Sequence, residues 1–471
     1  MTHTRYRHWL CGLLCATSLV WGGCTSAPQY EDPVAVMKHS DDPMLRMAAA
    51  KQAEKSHAQD PARIAALHEM LWRRGRGAEE RQYAIDQLVA YDEQDFRQIL
   101  SRRLVLIVNP ETLRYVLEMA AERQWTELTP AIVRSYARQI VTNIPGPRPE
   151  EAALQALNPG KTIVEIVFDT FINTREQASI NEQTAAWQLL RRLTDAPGLM
   201  KLLAAAPDTT PLVIDLKASA SQLRTLPHGR EGVLRLSTLR SPAYAALWQQ
   251  QAELVSKLTD EQQQGLELRH LPVLLSVDQN VLSMGRQQLL DRVRQYLARQ
   301  EHHLRGPTYD GPMRDYPQEF SAYASDLPWA DLATIDLLAR VILENRSVQA
   351  ELFAQADRDK LDTSSEHGGV LLLDDGRYQA RAFSPMQRQN DYKFFPSQEM
   401  IDTLYRGVAH YHFHAQAHHN RDYAGPGMGD MRMARTLEAH CIVLTFINAD
   451  TLNVDYYQPG GQVIDLGTIK R

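Results

Sequence analysis

The sequence predicts an α+β protein, with a helical N-terminal region followed by an α/β C-terminal domain built on a mixed sheet. Three observations carry this expectation. Between residues 42 and 142 apolar residues recur at helical spacing, as in Ile64, Leu67 and Leu71, or Leu113, Val116 and Leu117. Beyond Ser364 the pattern changes to short apolar or β-branched runs separated by glycine-bearing turns. Clusters of Pro and Gly at 143–149 and 305–317 divide the chain.

The chain has 471 residues, a net charge of −6 and 23% charged residues. This length accommodates two or three domains. With no basic excess and with basic residues scattered along helical stretches, nucleic acid is not expected as a partner.

Arg5 and Arg7 precede an apolar run from Leu10 to Trp21. That run is about a dozen residues, short for a bilayer span and typical of a signal-peptide core. Gly22 and Gly23 then lead into Cys24. This segment resembles the lipobox of bacterial lipoproteins, although Trp21 stands where an aliphatic residue is usual. The resemblance implies a signal peptide over 1–23, lipidation of Cys24 and a membrane-anchored place in the cell envelope. An ordinary secretory signal or an uncleaved anchor is the other reading. Of four cysteines, Cys11, Cys15, Cys24 and Cys441, only Cys441 would lie in the folded part, so no intrachain disulfide framework is expected. Residues 24–41 are polar and contain proline, as a tether does.

Residues 42–142 read as short helices joined by short polar turns. Asn109-Pro110 marks a helix start, because Pro is well tolerated at the first helical position. The pattern resembles HEAT-type repeats without a sharp consensus, and an irregular helical bundle fits equally. Residues 150–304 are mostly helical. Within them Thr162–Phe168 reads as a strand or a buried helix, and Pro211–Leu216 as a strand. No catalytic constellation is visible from Asn143 to Arg299. Residues 305–330 read as a linker, and Asp331–Leu352 as one helix opening the last domain, 331–471.

That domain contains four informative pieces in order. Glu366-His-Gly-Gly-Val-Leu-Leu-Leu373 is an apolar strand opening on a glutamate, followed by the hairpin signal Asp374-Asp375-Gly376. Pro396–Ala409 carries a helix with Ser397 as its N-cap. His410-Tyr-His-Phe-His414 is a short strand, and Ala424-Gly-Pro-Gly-Met-Gly-Asp430 is a glycine-rich loop leading into a helix over Met431–Ala439. Residues two apart in a strand share a face, so His412 and His414 project together, with His410 at the same parity. An aspartate delivered from a helix start adds an oxygen ligand. Two imidazoles and one carboxylate leave a fourth position on a tetrahedral ion for water, as in catalytic zinc sites.

These pieces resemble the JAMM (MPN-type) metalloproteases: an upstream glutamate beside a glycine-bearing strand, then His-x-His, then a loop ending in the metal-binding Asp. The resemblance covers about the last 140 residues. It implies Zn²⁺ held by His412, His414 and Asp430, Glu366 as general base, and hydrolysis of an amide bond in an unidentified protein or peptide substrate. Two departures stand out. Twelve residues separate His414 from Gly427, more than in the family, and they include His418 and His419 as possible extra ligands. Gly427 occupies the position of the family's oxyanion-stabilising serine. Loss of such a donor commonly costs about two to three decades in rate. The sequence therefore points to an envelope zinc peptidase or isopeptidase, with a weakly active or inactive JAMM-like scaffold as the alternative.

Overall fold

Asp or Asn followed by Pro starts four of the first helices. In Pro33–His39, Pro43–Ser56, Pro61–Trp72 and Pro110–Glu122, the preceding Asp32, Asp42, Asp60 and Asn109 accept hydrogen bonds from first-turn N–H groups. The proline supplies helical φ where its missing N–H is not needed. The structure, a computed structural model, describes residues 29–138, 148–173, 180–305, 316–389 and 393–471. Cys24 and the expected signal lie outside the described residues, as do most of the two Pro- and Gly-rich breaks. Among the described residues no helix is long and apolar enough to cross a membrane.

The contacts divide the chain after Leu128. The first unit holds those four helices and the long helix Ala78–Arg103, which is interrupted at Asp92. Leu67, Ile85, Phe96, Leu117 and Trp125 form its core. Arg46 and Glu80 pair within it at 2.6 Å, both almost fully buried.

The second unit takes in the middle helices together with the sheet. Two expectations are settled or corrected here. Thr162–Phe168 is helical, within Ile163–Ile172, and Thr162 and Glu165 cap its start reciprocally. Pro211–Leu216 is not a strand; it lies in the helix Pro211–Ala218. The Thr210 hydroxyl accepts from Val213 N–H there, and this cap with Pro at the first position outweighs the β propensity of Val213 and Ile214. A second correction concerns Asp331–Leu352, which is two helices, Trp329–Glu344 and Arg346–Leu361. They are divided at Asn345, whose side chain accepts from Ser347 and Val348 N–H.

The sheet has six strands: β1 (Gly368–Asp374), β2 (Arg377–Phe383), β3 (Ala409–His414), β4 (Cys441–Asn448), β5 (Thr451–Tyr457) and β6 (Val463–Lys470). Their order is β2-β1-β3-β4-β5-β6, with only the β3–β4 pair parallel, so the sheet is mixed. Asp374 pairs with Arg377, leaving Asp375 and Gly376 as a two-residue turn. Both have positive φ, 46° and 73°, the conformation that Asp-Gly favours. One face carries Tyr411, Phe413, Leu444 and Phe446, all fully buried. It meets the helix Arg346–Leu361 through Phe353 on Phe446 and through the Tyr411 hydroxyl, which donates to Gln355 Oε1 at 2.5 Å. The opposite face is covered by the helices Gln398–Leu404 and Met428–Leu437, where Met400, Leu404, Met431 and Leu437 pack on Val370, Cys441 and Val443.

A parallel pair needs a crossover. The connection from β3 to β4 leaves from the His414 end and returns through the helix Met428–Leu437. The start of that helix is therefore brought to the C-terminal edge of the sheet, where His414 stands.

Candidate metal centre

His410, His412 and His414 share the face that looks onto the crossover helix, as strand parity requires. Asp430 is the third residue of that helix. Its carboxylate reaches both inner rings: Oδ1 lies 3.4 Å from His412 Nε2, and Oδ2 lies 3.6 Å from His414 Nε2. One ligand atom from each of the three residues lies within 4.8 Å of the others.

The residues fit a metal ion. With bonds of about 2.0–2.1 Å, adjacent corners of a ligand tetrahedron are about 3.3–3.4 Å apart. The ring-to-carboxylate distances are close to this. His412 is fully buried, and its Nε2 has no hydrogen-bond partner. Leaving such an atom unmatched costs about 1–3 kcal/mol. The outer nitrogens are engaged. His414 Nδ1–H donates to the Tyr423 carbonyl at 2.9 Å, and His412 Nδ1 lies 3.4 Å from the Tyr457 hydroxyl. Such outer contacts fix the tautomer and turn the Nε2 lone pairs inward. Asp430 is fixed too, because Gly427 N–H donates to its Oδ2 at 2.7 Å.

The charges are tightly linked. Burial would raise the pKa of Asp430, but the facing His412 and His414 rings bring it well below the usual carboxylate range. Burial would lower His414, yet the Asp430 carboxylate, helped by Glu366, pushes it up to about 9. His410 differs. Its Nδ1–H donates to the Gly369 carbonyl at 3.0 Å, its ring stacks between Phe394 and His412, and burial takes its pKa down to about 3.

A cleft of about 480 Å³ opens beside the three residues, lined by Glu366, His414, Tyr423, Gly427, Met428 and Asp430 among others. Glu366 is 5% exposed and stands at the entrance to β1, on the cleft wall. The long loop after His414 forms another wall. Asn420 ties it down: its backbone N–H donates to Phe446 O at 2.8 Å and its side-chain amide to His414 O at 3.3 Å. His418 and His419 do not join the metal group. His418 lies edge-on to Phe446, a ring on the other face of the sheet, and His419 is exposed. Gly427 has extended backbone, φ −84° and ψ 177°, which any residue adopts.

Sequence reasoning missed the supporting contacts. Tyr457 belongs to no motif, but its strand register places it on the same face as His412, and that parity could have flagged it. It also missed a second buried group, His270, Asp331 and His440. There Arg269 fills the space: Nη1 contacts His440 Nδ1 at 2.9 Å and Nη2 lies 3.1 Å from Asp331 Oδ1. His270 Nε2–H donates to Asp331 at 2.8 Å, and Glu267 N–H donates to His270 Nδ1 at 2.9 Å.

Compared with known proteins, the chain matches no family model, no curated protein and no solved structure.

Proposed function

We propose that the second unit is a zinc-dependent amide hydrolase of the JAMM-like kind, carried by a cell-envelope lipoprotein anchored through Cys24. The single observation behind this is the convergence of His412, His414 and Asp430 on one point at the edge of a cleft that Glu366 also lines. When bound there, zinc supplies a Lewis acid and lowers the pKa of attached water towards neutrality. His412 and His414 contribute neutral nitrogens, held by Tyr457 and Tyr423. Asp430 contributes the balancing charge. Glu366 accepts the proton of the attacking water and passes it to the leaving amine. Met428, Gly429 and Asp430, which open the helix Met428–Leu437, line the cleft, and their backbone N–H groups would serve as donors to the oxyanion in place of a serine hydroxyl.

The replacement of that serine by Gly427 favours a second reading, a metal-bearing scaffold with little hydrolytic activity. Metal analysis of purified protein with a peptide and isopeptide hydrolysis panel separates the two. The hydrolase reading expects one zinc per chain, lost in His412→Ala, and a rate reduced by about 10²–10⁴ in Glu366→Gln with zinc retained. Zinc without hydrolysis, and no effect of Glu366→Gln, establishes the scaffold. Absence of zinc in wild-type protein removes both.

A further inference from the structure

The stretch 305–330 reads in sequence as a linker, yet Tyr316 within it reaches the loop that carries Asp430. The Tyr316 hydroxyl donates to the Pro426 carbonyl. The same peptide plane, Pro426–Gly427, presents its N–H to Asp430 Oδ2 at 2.7 Å. One rigid planar amide thus connects Tyr316 to the metal-facing carboxylate. An amide that accepts at its oxygen becomes a stronger donor at its nitrogen.

Tyr316 is itself held. The Arg305 guanidinium lies over its ring, 5.0 Å from the centroid, and the ring packs beside the cluster formed by Met431, Val443 and Tyr457. Two residues on, Gln318 Nε2–H donates to Asp455 Oδ1 at 3.1 Å, and Gln318 O accepts from Asp465 N–H at 2.9 Å. These bonds fasten the segment to β5 and β6. Its close fit to the metal loop depends on Gly425. That residue has φ +82°, and a Cβ there would come within 2.8 Å of Gln318 Nε2 and 3.1 Å of the Tyr316 hydroxyl.

We infer that Tyr316 is a positioning residue for the metal centre, orienting Asp430 through the Pro426–Gly427 peptide. This rests on the metal-site reading above. Partners bonded directly to a ligand typically change metal affinity by about 10–100-fold when lost, and Tyr316, one peptide further out, is expected to contribute about 3–10-fold. Tyr316→Phe keeps the ring, its packing and the Arg305 contact, and deletes only the hydroxyl.

The test measures Zn²⁺ affinity of the full chain by competition with a chromophoric chelator, and the visible spectrum of the Co²⁺-loaded protein. Tyr316→Phe is expected to bind Zn²⁺ about 3–10-fold more weakly and to shift the Co²⁺ bands, with the melting temperature of the metal-free protein close to wild type. Tyr323→Phe is the control. Its hydroxyl donates to Pro317 O at 2.8 Å on the same segment but has no link to Asp430, so wild-type affinity is expected. Wild-type affinity and spectrum in Tyr316→Phe overturn the inference while leaving the metal site standing. Equal losses in both variants also overturn it, because they show a general loosening of the segment. A wild-type chain that binds neither ion overturns the metal reading and the inference together.

Discussion

Among the described residues, two groups of two histidines and one aspartate occur in the same unit, one fully buried and one partly open, and they differ in what fills the space between the side chains. Around Asp331 every inward-facing atom is matched. Arg269 bridges Asp331 and His440, Gln458 Nε2–H donates to Asp331 Oδ2 at 3.1 Å, and the Tyr456 hydroxyl lies 2.9 Å from His440 Nδ1. Around Asp430 the outer nitrogens are matched and the inner His412 Nε2 is not. The first group contains its own cation; the second is arranged as if for an added one. Ligand-like spacing alone therefore does not distinguish a metal site from a salt-bridged core. The lack of a built-in cation and the adjoining cleft are what set the Asp430 group apart.

Removing the built-in cation is the strongest way to break this comparison. Arg269→Ala leaves Asp331 and Glu267 without their guanidinium. It is expected to lower unfolding free energy by about 3–5 kcal/mol in urea titrations while zinc stoichiometry stays at wild type. His412→Ala is the mirror case, losing zinc with a far smaller change in the stability of metal-free protein.

The pH dependence of stability should carry opposite signs in the two groups. His414 has a folded pKa of about 9, above its unfolded value of about 6.5. Its contribution to the metal-free protein is complete below the unfolded value and is lost as pH rises through about 9. The ceiling on that loss is about 3 kcal/mol. Burial, then Arg269, lowers His270, and burial with Arg269 takes His440 well below its ordinary range. These two rings stay neutral in the fold, so their contribution is lost as pH falls below about 6.5, where the unfolded chain takes up protons. Urea titrations of chelator-treated wild type and His414→Ala check this. The alkaline loss should vanish in the variant and the acid loss should remain.

The smallest effect sharpens the chemistry of the open group. Gly427 has a backbone that serine adopts without strain. On the hydrolase reading, Gly427→Ser adds a hydroxyl beside the helix N–H groups that already face the oxyanion, and is expected to raise the turnover number by no more than about tenfold with little change in KM. A gain of about 10²-fold or more means that the helix N–H groups do not supply the oxyanion contact.

Much of the open group was legible in the sequence because it rests on local periodicity. The His-x-His alternation places two rings on one face whatever surrounds them, and Asp-Gly sets the β1–β2 turn from two residues alone. The N-caps at Ser397 and Asn109 are equally local. What was not legible depends on contacts between distant segments. Tyr316 meets Pro426 across 110 residues, and Arg269 meets His440 across 171, with no spacing rule to announce either. Pro211–Leu216 was misread for a different reason: its β-branched run was weighed above the Thr-Pro start in front of it.

The helix Met428–Leu437, with Asp430 in its first turn, is closed by Glu438, which adopts a left-handed conformation, φ 49° and ψ 51°. The buried Glu438 carboxylate accepts from the N–H groups of His228 and Gly229, at the start of the helix Arg230–Leu239. Gly232 leaves the room, since a Cβ there would collide with Glu438 Oε2 at 2.3 Å. Ten residues of helix span about 15 Å. They form a short rod anchored at one end in the middle helices and at the other in the ligand cluster. The same ten-residue helix thus carries Asp430 in its first turn and is fastened beyond its last turn to the start of Arg230–Leu239, so the placing of that carboxylate is tied to the packing of the helical layer.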